Sequence, residues 1–408
     1  MQETDTSRNL SEIRREGEMD REQIKSKDSQ YIVHTYNRYD IVVDHAEGAT
    51  VTDANGKEYI DMCSGYGANS LGYQNPAWLE AVTEQLHKVQ HTSNLYYSEP
   101  GVMVAERLVT RSGLCKVWFA NSGGEANEAA IKTARKYGNT LADHKKNTII
   151  SLKKSFHGRT MATVTATGLA EAQEVFAPLV PGFVHAEVDD IEQLRALTEE
   201  YDPCAFLMEL VQGEGGVHAL DKEFVNAAAE LCAEKDILFI DDEVQVGIGR
   251  SGTLFAFEQY GIKPDIVSFA KGIGAGLPIG GIICGLKTCE VLVPGDHGST
   301  FGMNPVACAG ACVVLDTLDE EFLELVNIKA NFIREKLLEM KKVTGLDGLG
   351  LMIGIDLDGM TGAEAVKQLT EAGVMAIPAG NRLRLLPPLT ISAEEIIKAL
   401  IAMKEVLD

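Results

Sequence analysis

The chain has 408 residues, 45% of them hydrophobic and 24% charged, which fits an ordinary globular protein and is long enough for two domains or one large domain with a satellite. Its 60 Asp and Glu against 37 Lys and Arg leave a net charge of −23, which repels a phosphate backbone and an anionic membrane surface, so neither nucleic acid nor membrane is an expected partner. The 8 cysteines never form a C-x-x-C pair and the first 28 residues hold no apolar leader, so a zinc ribbon and a secreted disulfide framework are set aside and a cytoplasmic location is expected.

Residues 1–28 carry 14 charged side chains around Leu10, Ile13 and Ile24 and are expected to form a polar arm outside the catalytic core. Over 29–76, Ile41-Val42-Val43, Ala49-Thr50-Val51-Thr52 and Glu58-Tyr59-Ile60 are separated by Gly- and Asn-bearing turns. They predict a small antiparallel sheet, the N-terminal part of a small domain. Between 77 and 304, helical stretches at 102–110, 126–137 and 224–234 alternate with apolar strands at 117–119, 148–152, 205–210, 237–240, 266–269 and 282–283. Such alternation predicts an α/β large domain, a mostly parallel sheet covered by helices, with ligands at the carboxyl ends of its strands. The uncharged run 272–286 has 15 residues, six of them Gly, whereas a membrane span needs about 20 apolar ones. Residues 305–408 open on a helical stretch at 306–318 continued to 340, then show strands at 351–357, 374–377 and 382–385, the pattern of a smaller α+β domain.

Three places carry chemistry. Lys271 follows the buried-type strand 266–270 and precedes Gly272-Ile273-Gly274, with no acid within five residues. A lysine in apolar surroundings has a lowered pKa, and its neutral amine can attack an aldehyde. Asp242 lies just past the carboxyl end of the strand 237–240, where a carboxylate can bind a metal, cap a helix or pair with a protonated pyridine nitrogen. A metal is not expected, because no His pair or acid cluster has ligand spacing. Asn121-Ser122-Gly123-Gly124-Glu125 opens the helix at 126, and bare amides with a hydroxyl at a helix N-terminus suit a phosphate or a tight turn. Gly247-Ile248-Gly249-Arg250-Ser251-Gly252 matches G-x-G-x-x-G but lies outside a strand-to-helix turn, so a dinucleotide site is discounted. His157 is likewise set aside as a general base for want of a nucleophile partner.

Taken together, Asn121-Ser122-Gly123-Gly124-Glu125, Phe156-His157-Gly158-Arg159-Thr160, Gln212-Gly213-Glu214-Gly215-Gly216, Asp242-Glu243-Val244-Gln245, Ala270-Lys271-Gly272 and His297-Gly298-Ser299-Thr300-Phe301-Gly302 resemble, in order and spacing, the class III pyridoxal-phosphate aminotransferases. The resemblance runs over about residues 30 to 408 and implies the fold type I transferase architecture. His34-Thr35-Tyr36-Asn37-Arg38 and His91-Thr92-Ser93-Asn94-Leu95-Tyr96-Tyr97 are similar to signatures of the acetylornithine aminotransferases.

The resemblance implies that Lys271 bears the pyridoxal 5'-phosphate and moves the proton, while Asp242 keeps the ring nitrogen protonated. It further implies that Gln245 touches the ring hydroxyl, Phe156 stacks on the ring and Ser122, Gly123 and Gly124 cradle the phosphate, with Thr300 reaching a phosphate across a homodimer whose active sites are shared. Arg159 and Arg384 are the implied carboxylate clamps, Glu214 the carboxylate that pairs with Arg384 in one half of the cycle, and Tyr36 and Tyr66 further substrate contacts. The implied reaction moves the terminal amine of N-acetylornithine to 2-oxoglutarate, giving N-acetylglutamate 5-semialdehyde and glutamate in arginine biosynthesis. Tyr66 stands where acetylornithine enzymes usually carry an aliphatic residue, which keeps ornithine, succinylornithine and 4-aminobutyrate open as donors.

Overall fold

The computed structural model describes residues 19–141 and 146–408. Residues 1–18 of the expected polar arm lie outside them. The rest of the arm enters the helix Arg21–Tyr31, started by a capping box in which Asp20 and Gln23 each satisfy the other's backbone N–H, and this helix buries none of its residues. Strands Val43–Glu47, Thr50–Asp53 and Glu58–Asp61 then form an antiparallel meander. The sheet is not purely antiparallel, since Val374–Met375 joins Glu58–Asp61 in parallel from the far end of the chain.

The central sheet has seven strands in the order Lys116–Ala120, Gly280–Cys284, Ile266–Phe269, Leu238–Asp242, Ala205–Met208, Ile149–Leu152 and Phe183–Ala186. All neighbours are parallel except the two pairs made by Gly280–Cys284, which runs against both its partners. The edge strand Phe183–Ala186 and the helix Ile191–Tyr201 are additions to the expected pattern. Alternation along the buried strands divides the core into two layers. Leu238 and Ile240 pack with Ala126 and Ala130 of the helix Gly123–Leu141, while Phe239 packs with Phe224 and Val225 of the helix Lys222–Lys235. Asp242 therefore follows Ile240 onto the face of the helix Gly123–Leu141, and Asp241 and Glu243 fall on the other.

The long helix expected from 306 to 340 is two helices, Pro305–Thr317 and Glu320–Leu338, because the Asp319 carboxylate accepts the Phe322 N–H and starts the second. A boundary at 305 assigns the first to the C-terminal unit. Its packing partners are instead Pro76–Lys88, Glu99–Ser112 and the turn Lys271–Gly274, and Gly310 lies so close to Trp78 that a Cβ there would come within 2.6 Å of the indole nitrogen. The C-terminal antiparallel sheet runs Val343–Asp347, Ile353–Leu357, Arg382–Leu385, Ile377–Ala379. The single strand expected at 374–377 thus serves two sheets, Val374–Met375 in one and Ile377–Ala379 in the other. Among the described residues no helix is long and apolar enough to cross a membrane.

Candidate active site

Three neighbouring strands deliver three ionisable groups to one edge of the central sheet. Glu209 follows Ala205–Met208, Asp242 ends Leu238–Asp242, and Lys271 stands two residues past Ile266–Phe269. All three line a cavity of about 630 Å³, together with Ser122, Gly123, Gly124, Phe156, Arg159 and Gln245. The structure thus brings together eight of the residues singled out in the sequence, and adds Glu209, which had drawn no attention.

Lys271 faces this cavity, and loss of water followed by the charge of Arg384 pushes its ammonium down to about 8. Asp242 is 3% exposed and its carboxylate accepts from four donors. The Asn127 amide and the His157 Nδ1 each lie 2.7 Å from Oδ2, and the Val244 N–H and the Ser268 hydroxyl lie 3.1 and 3.2 Å from Oδ1. A carboxylate only accepts, so Nδ1 of His157 carries the proton of that contact. His157 thus holds Asp242 in place through Nδ1. Sequence could not reveal this, because 85 residues separate the pair and only the strand order makes them neighbours.

The anion end of the cavity is the N-terminus of the helix Gly123–Leu141. A Cβ on Gly123 would come within 2.5 Å of Val244, so the close approach of loop to strand requires glycine there, and the first-turn amides stay accessible. The Ser122 hydroxyl bonds the Glu125 carboxylate at 2.9 Å. Phe156 forms an apolar wall, fixed by its N–H to Glu209 Oε2 at 2.8 Å, and the exposed Arg159 lies 5.1 Å over its ring. Burial, then the neighbouring Asp242, raises the Glu209 carboxyl to about 8. An anion cradle, an apolar slot, a carboxylate at its floor and a deprotonatable lysine form a donor set matched to a phosphorylated pyridine aldehyde.

Arg384 is fully buried and donates from Nη1 to Glu214 Oε1 at 2.8 Å and to Gln245 Oε1 at 3.0 Å. Burial alone would raise the Glu214 carboxyl, but the charge and hydrogen bond of Arg384 outweigh it and hold the group below its ordinary value. Gln245, assigned to the ring hydroxyl from sequence, therefore also braces the arginine. The guanidinium lies 5.5 Å over the ring of Tyr66, which adopts a left-handed φ of 59° and is 48% exposed. Tyr36 is 74% exposed and, like the exposed Thr300, is absent from the cavity wall of its own chain. The discounted glycine motif at 247–252 is a turn whose Arg250 donates to the carbonyls of Leu351 and Pro387, which accounts for it structurally.

Residues 31–407 match the family model described as Aminotransferase class-III. An acetylornithine aminotransferase of Haemophilus ducreyi is 47% identical over 95% of this chain and 99% of its own length, and one of Methanocaldococcus jannaschii is 41% identical over 93% and 96%. Among solved structures, an N-acetylornithine aminotransferase from Stenotrophomonas maltophilia superposes with a TM-score of 0.80 at 32% identity, covering 93% of this chain and 97% of that one. An ornithine aminotransferase from Toxoplasma gondii, described with pyridoxal phosphate partly occupying its active site, gives a TM-score of 0.90 at 29% identity over 95% and 94%.

Proposed function

This chain belongs to the class III aminotransferases, enzymes that use pyridoxal 5'-phosphate, and from that premise we propose that it transfers the terminal amine of N-acetylornithine to 2-oxoglutarate. The observation that carries the reading is the Arg384–Glu214 pair beside Lys271, joined to the 47% identity with an acetylornithine enzyme. A buried arginine paired with a movable carboxylate is useful where two substrates of different charge share one site.

When bound, pyridoxal phosphate supplies an electron-withdrawing ring and an aldehyde that carries the amine from donor to acceptor. Lys271 holds it and, with its ammonium pushed down to about 8, has a neutral fraction near neutral pH able to take the proton from the donor's terminal carbon and give it back. Asp242, held by Asn127 and His157, keeps a proton on the ring nitrogen. Ser122 and the amides of Gly123 and Gly124 bind the phosphate, and Phe156 covers one ring face. Arg159 takes the carboxylate common to both substrates. With the diamino donor bound, Glu214 neutralises Arg384; with 2-oxoglutarate bound, Glu214 moves off and Arg384 receives the distal carboxylate.

The proposal includes a homodimer in the cytoplasm. Exposed apolar Ile32, Val33, Leu95, Tyr97 and Phe301 support a partner surface, and Thr300 is assigned to the partner's phosphate. Tyr66 favours a second reading, in which its phenol bonds the free α-ammonium of ornithine. The test is an absorbance titration of the cofactor-loaded protein with N-acetylornithine and with ornithine, omitting keto acid. Conversion at far lower N-acetylornithine supports the first reading, and the reverse order replaces it with the second. Product formed beyond one equivalent per active site without keto acid would sink both.

A further inference from the structure

A second cavity, of about 420 Å³, shares no residue with the first and is walled by Gly215 and Gly216 of the loop that carries Glu214, with Lys154, Asp189, His218 and Arg382. Its charges centre on one imidazole. His218 Nδ1 lies 3.0 Å from Asp347 Oδ2, and its Nε2 lies 3.0 Å from Asp189 Oδ2. Carboxylates only accept, so both contacts exist together only when both ring nitrogens carry hydrogen, that is, in the imidazolium. A neutral ring keeps one.

Arg382 completes the arrangement. Its Nε and Nη2 grip Asp356 at 2.7 and 2.9 Å, and its Nη1 reaches Asp347 at 3.0 Å and the carbonyls of Gly216 and Val217 at 3.2 and 3.3 Å. Asp347 also accepts the Ala219 N–H, and Asp189 the Asp221 N–H. Side chains from three other segments thus stitch down residues 216–221, and two residues before that run Glu214 holds Arg384.

We propose that His218, Asp189, Asp347 and Arg382 form a pH-dependent latch on the Glu214 loop that biases which substrate Arg384 accepts. Protonated His218 keeps the loop fixed and Glu214 on Arg384, favouring the diamino donor. Neutral His218 releases one carboxylate, so Glu214 leaves more readily and the dicarboxylic keto acid is favoured. The inference rests on the reading of Glu214 as a gate. These are positioning residues, and none lines the Lys271 cavity. The hydrogen bond to Asp347, then against desolvation that to Asp189, holds His218 above the ordinary imidazole value. The other charged or titratable groups around it are Lys154 on the cavity wall, Asp356 through Arg382, Arg334, which donates to the Asp347 and Gly348 carbonyls, Asp221 beside Asp189, and Tyr260, whose hydroxyl bonds the carbonyls of Leu210 and Leu220 at the base of the loop.

Histidine ring proton NMR on the cofactor-loaded full chain, with His218→Gln to assign the signal, reads the titration without turnover. A midpoint above about 6.5 is expected, and one at or below it overturns the latch. The ratio of kcat/KM for 2-oxoglutarate to that for N-acetylornithine is then followed from about pH 6 to about pH 9.5. The ratio should rise about tenfold through the His218 midpoint, the size of one charge-assisted hydrogen bond, and that rise should be missing from His218→Gln. Asp189→Asn should move the inflection to lower pH, since Asn keeps the left-handed backbone of Asp189, φ 57°, while removing its charge. Lys271 titrates in the same range and is free only when the keto acid binds, but its contribution is the same in every variant, so the difference between wild type and His218→Gln isolates His218. A ratio that His218→Gln leaves unmoved while Glu214→Gln shifts it overturns the latch and spares the gate. A ratio that Glu214→Gln also leaves unmoved removes the gate and the latch with it.

Discussion

The two cavities gather charged side chains and treat them in opposite ways. In the first, Lys271 and Glu209 are left without an ion pair among the described residues, and desolvation moves both to about 8. Behind the Glu214 loop Asp347, Asp356 and Arg382 are paired with opposite charges, and although burial alone would raise Asp347, its contacts with His218, Gly348, Ala219 and Arg382 hold it well below the usual carboxylate range. A group that must exchange a proton is kept unpaired in a poorly hydrated hollow. A group that must hold a loop is paired until its ionisation is fixed.

The largest expected effect comes from removing the open charge. Lys271→Ala should lower transamination by at least about a thousandfold, while the phosphate cradle still retains the cofactor; turnover and the bound-cofactor absorbance spectrum check the two halves separately. Asp242→Asn should lower turnover by about two to three orders of magnitude, because the ring loses its charged partner, and wild-type rates in that variant would remove the assignment. Arg384→Ala should reduce kcat/KM for 2-oxoglutarate about a hundredfold and the donor half-reaction less, a split read from single-turnover rates with each substrate alone.

A smaller effect probes the reverse face of the Asp242 strand, where Asp241 and Glu243 are fully buried and Asp241 finds no polar partner outside Glu243. Burial, then Glu243, raises Asp241 well above its usual value, and burial raises Glu243 to about 7. Groups raised on folding contribute stability that is present below the unfolded carboxyl range and lost as pH rises through the folded values. Thermal stability should therefore fall as pH rises from about 5 through about 7, and Asp241→Asn should flatten that slope and raise Tm at the alkaline end by about 2–4 °C. Scanning calorimetry across this range checks the sign. Least of all, Tyr66→Phe should leave the N-acetylornithine half-reaction within about threefold, since ring packing on Arg384 survives the loss of the hydroxyl.

The alternation of apolar strands and helices between 77 and 304 is readable because every buried strand carries its own turn signals and the parallel sheet repeats one local unit. The motifs at 121–125, 242–245 and 270–272 are readable for the same reason: each lies at the end of a strand, where the sequence itself changes from apolar to polar. The fourth strand of the N-terminal sheet was not, since Val374 pairs with Ile60 across more than 300 residues. The break at Asp319 was legible in principle as a capping residue, yet an apolar pattern on both sides of it hid the stop.

By itself, then, the sequence determined the family, the cofactor and the residue types at each strand end, because these depend on short runs whose chemistry is local. Tertiary structure decided which of those ends meet. The pairing of His157 and Asn127 with Asp242, the entry of Glu209 between Phe156 and Gly213, and the lattice that joins Asp189, His218, Asp347 and Arg382 all depend on strand order and on loop contacts between distant segments. Hydrogen bonds and ion pairs act over about 3 Å, and no periodicity along the chain reports which residues the fold will bring that close.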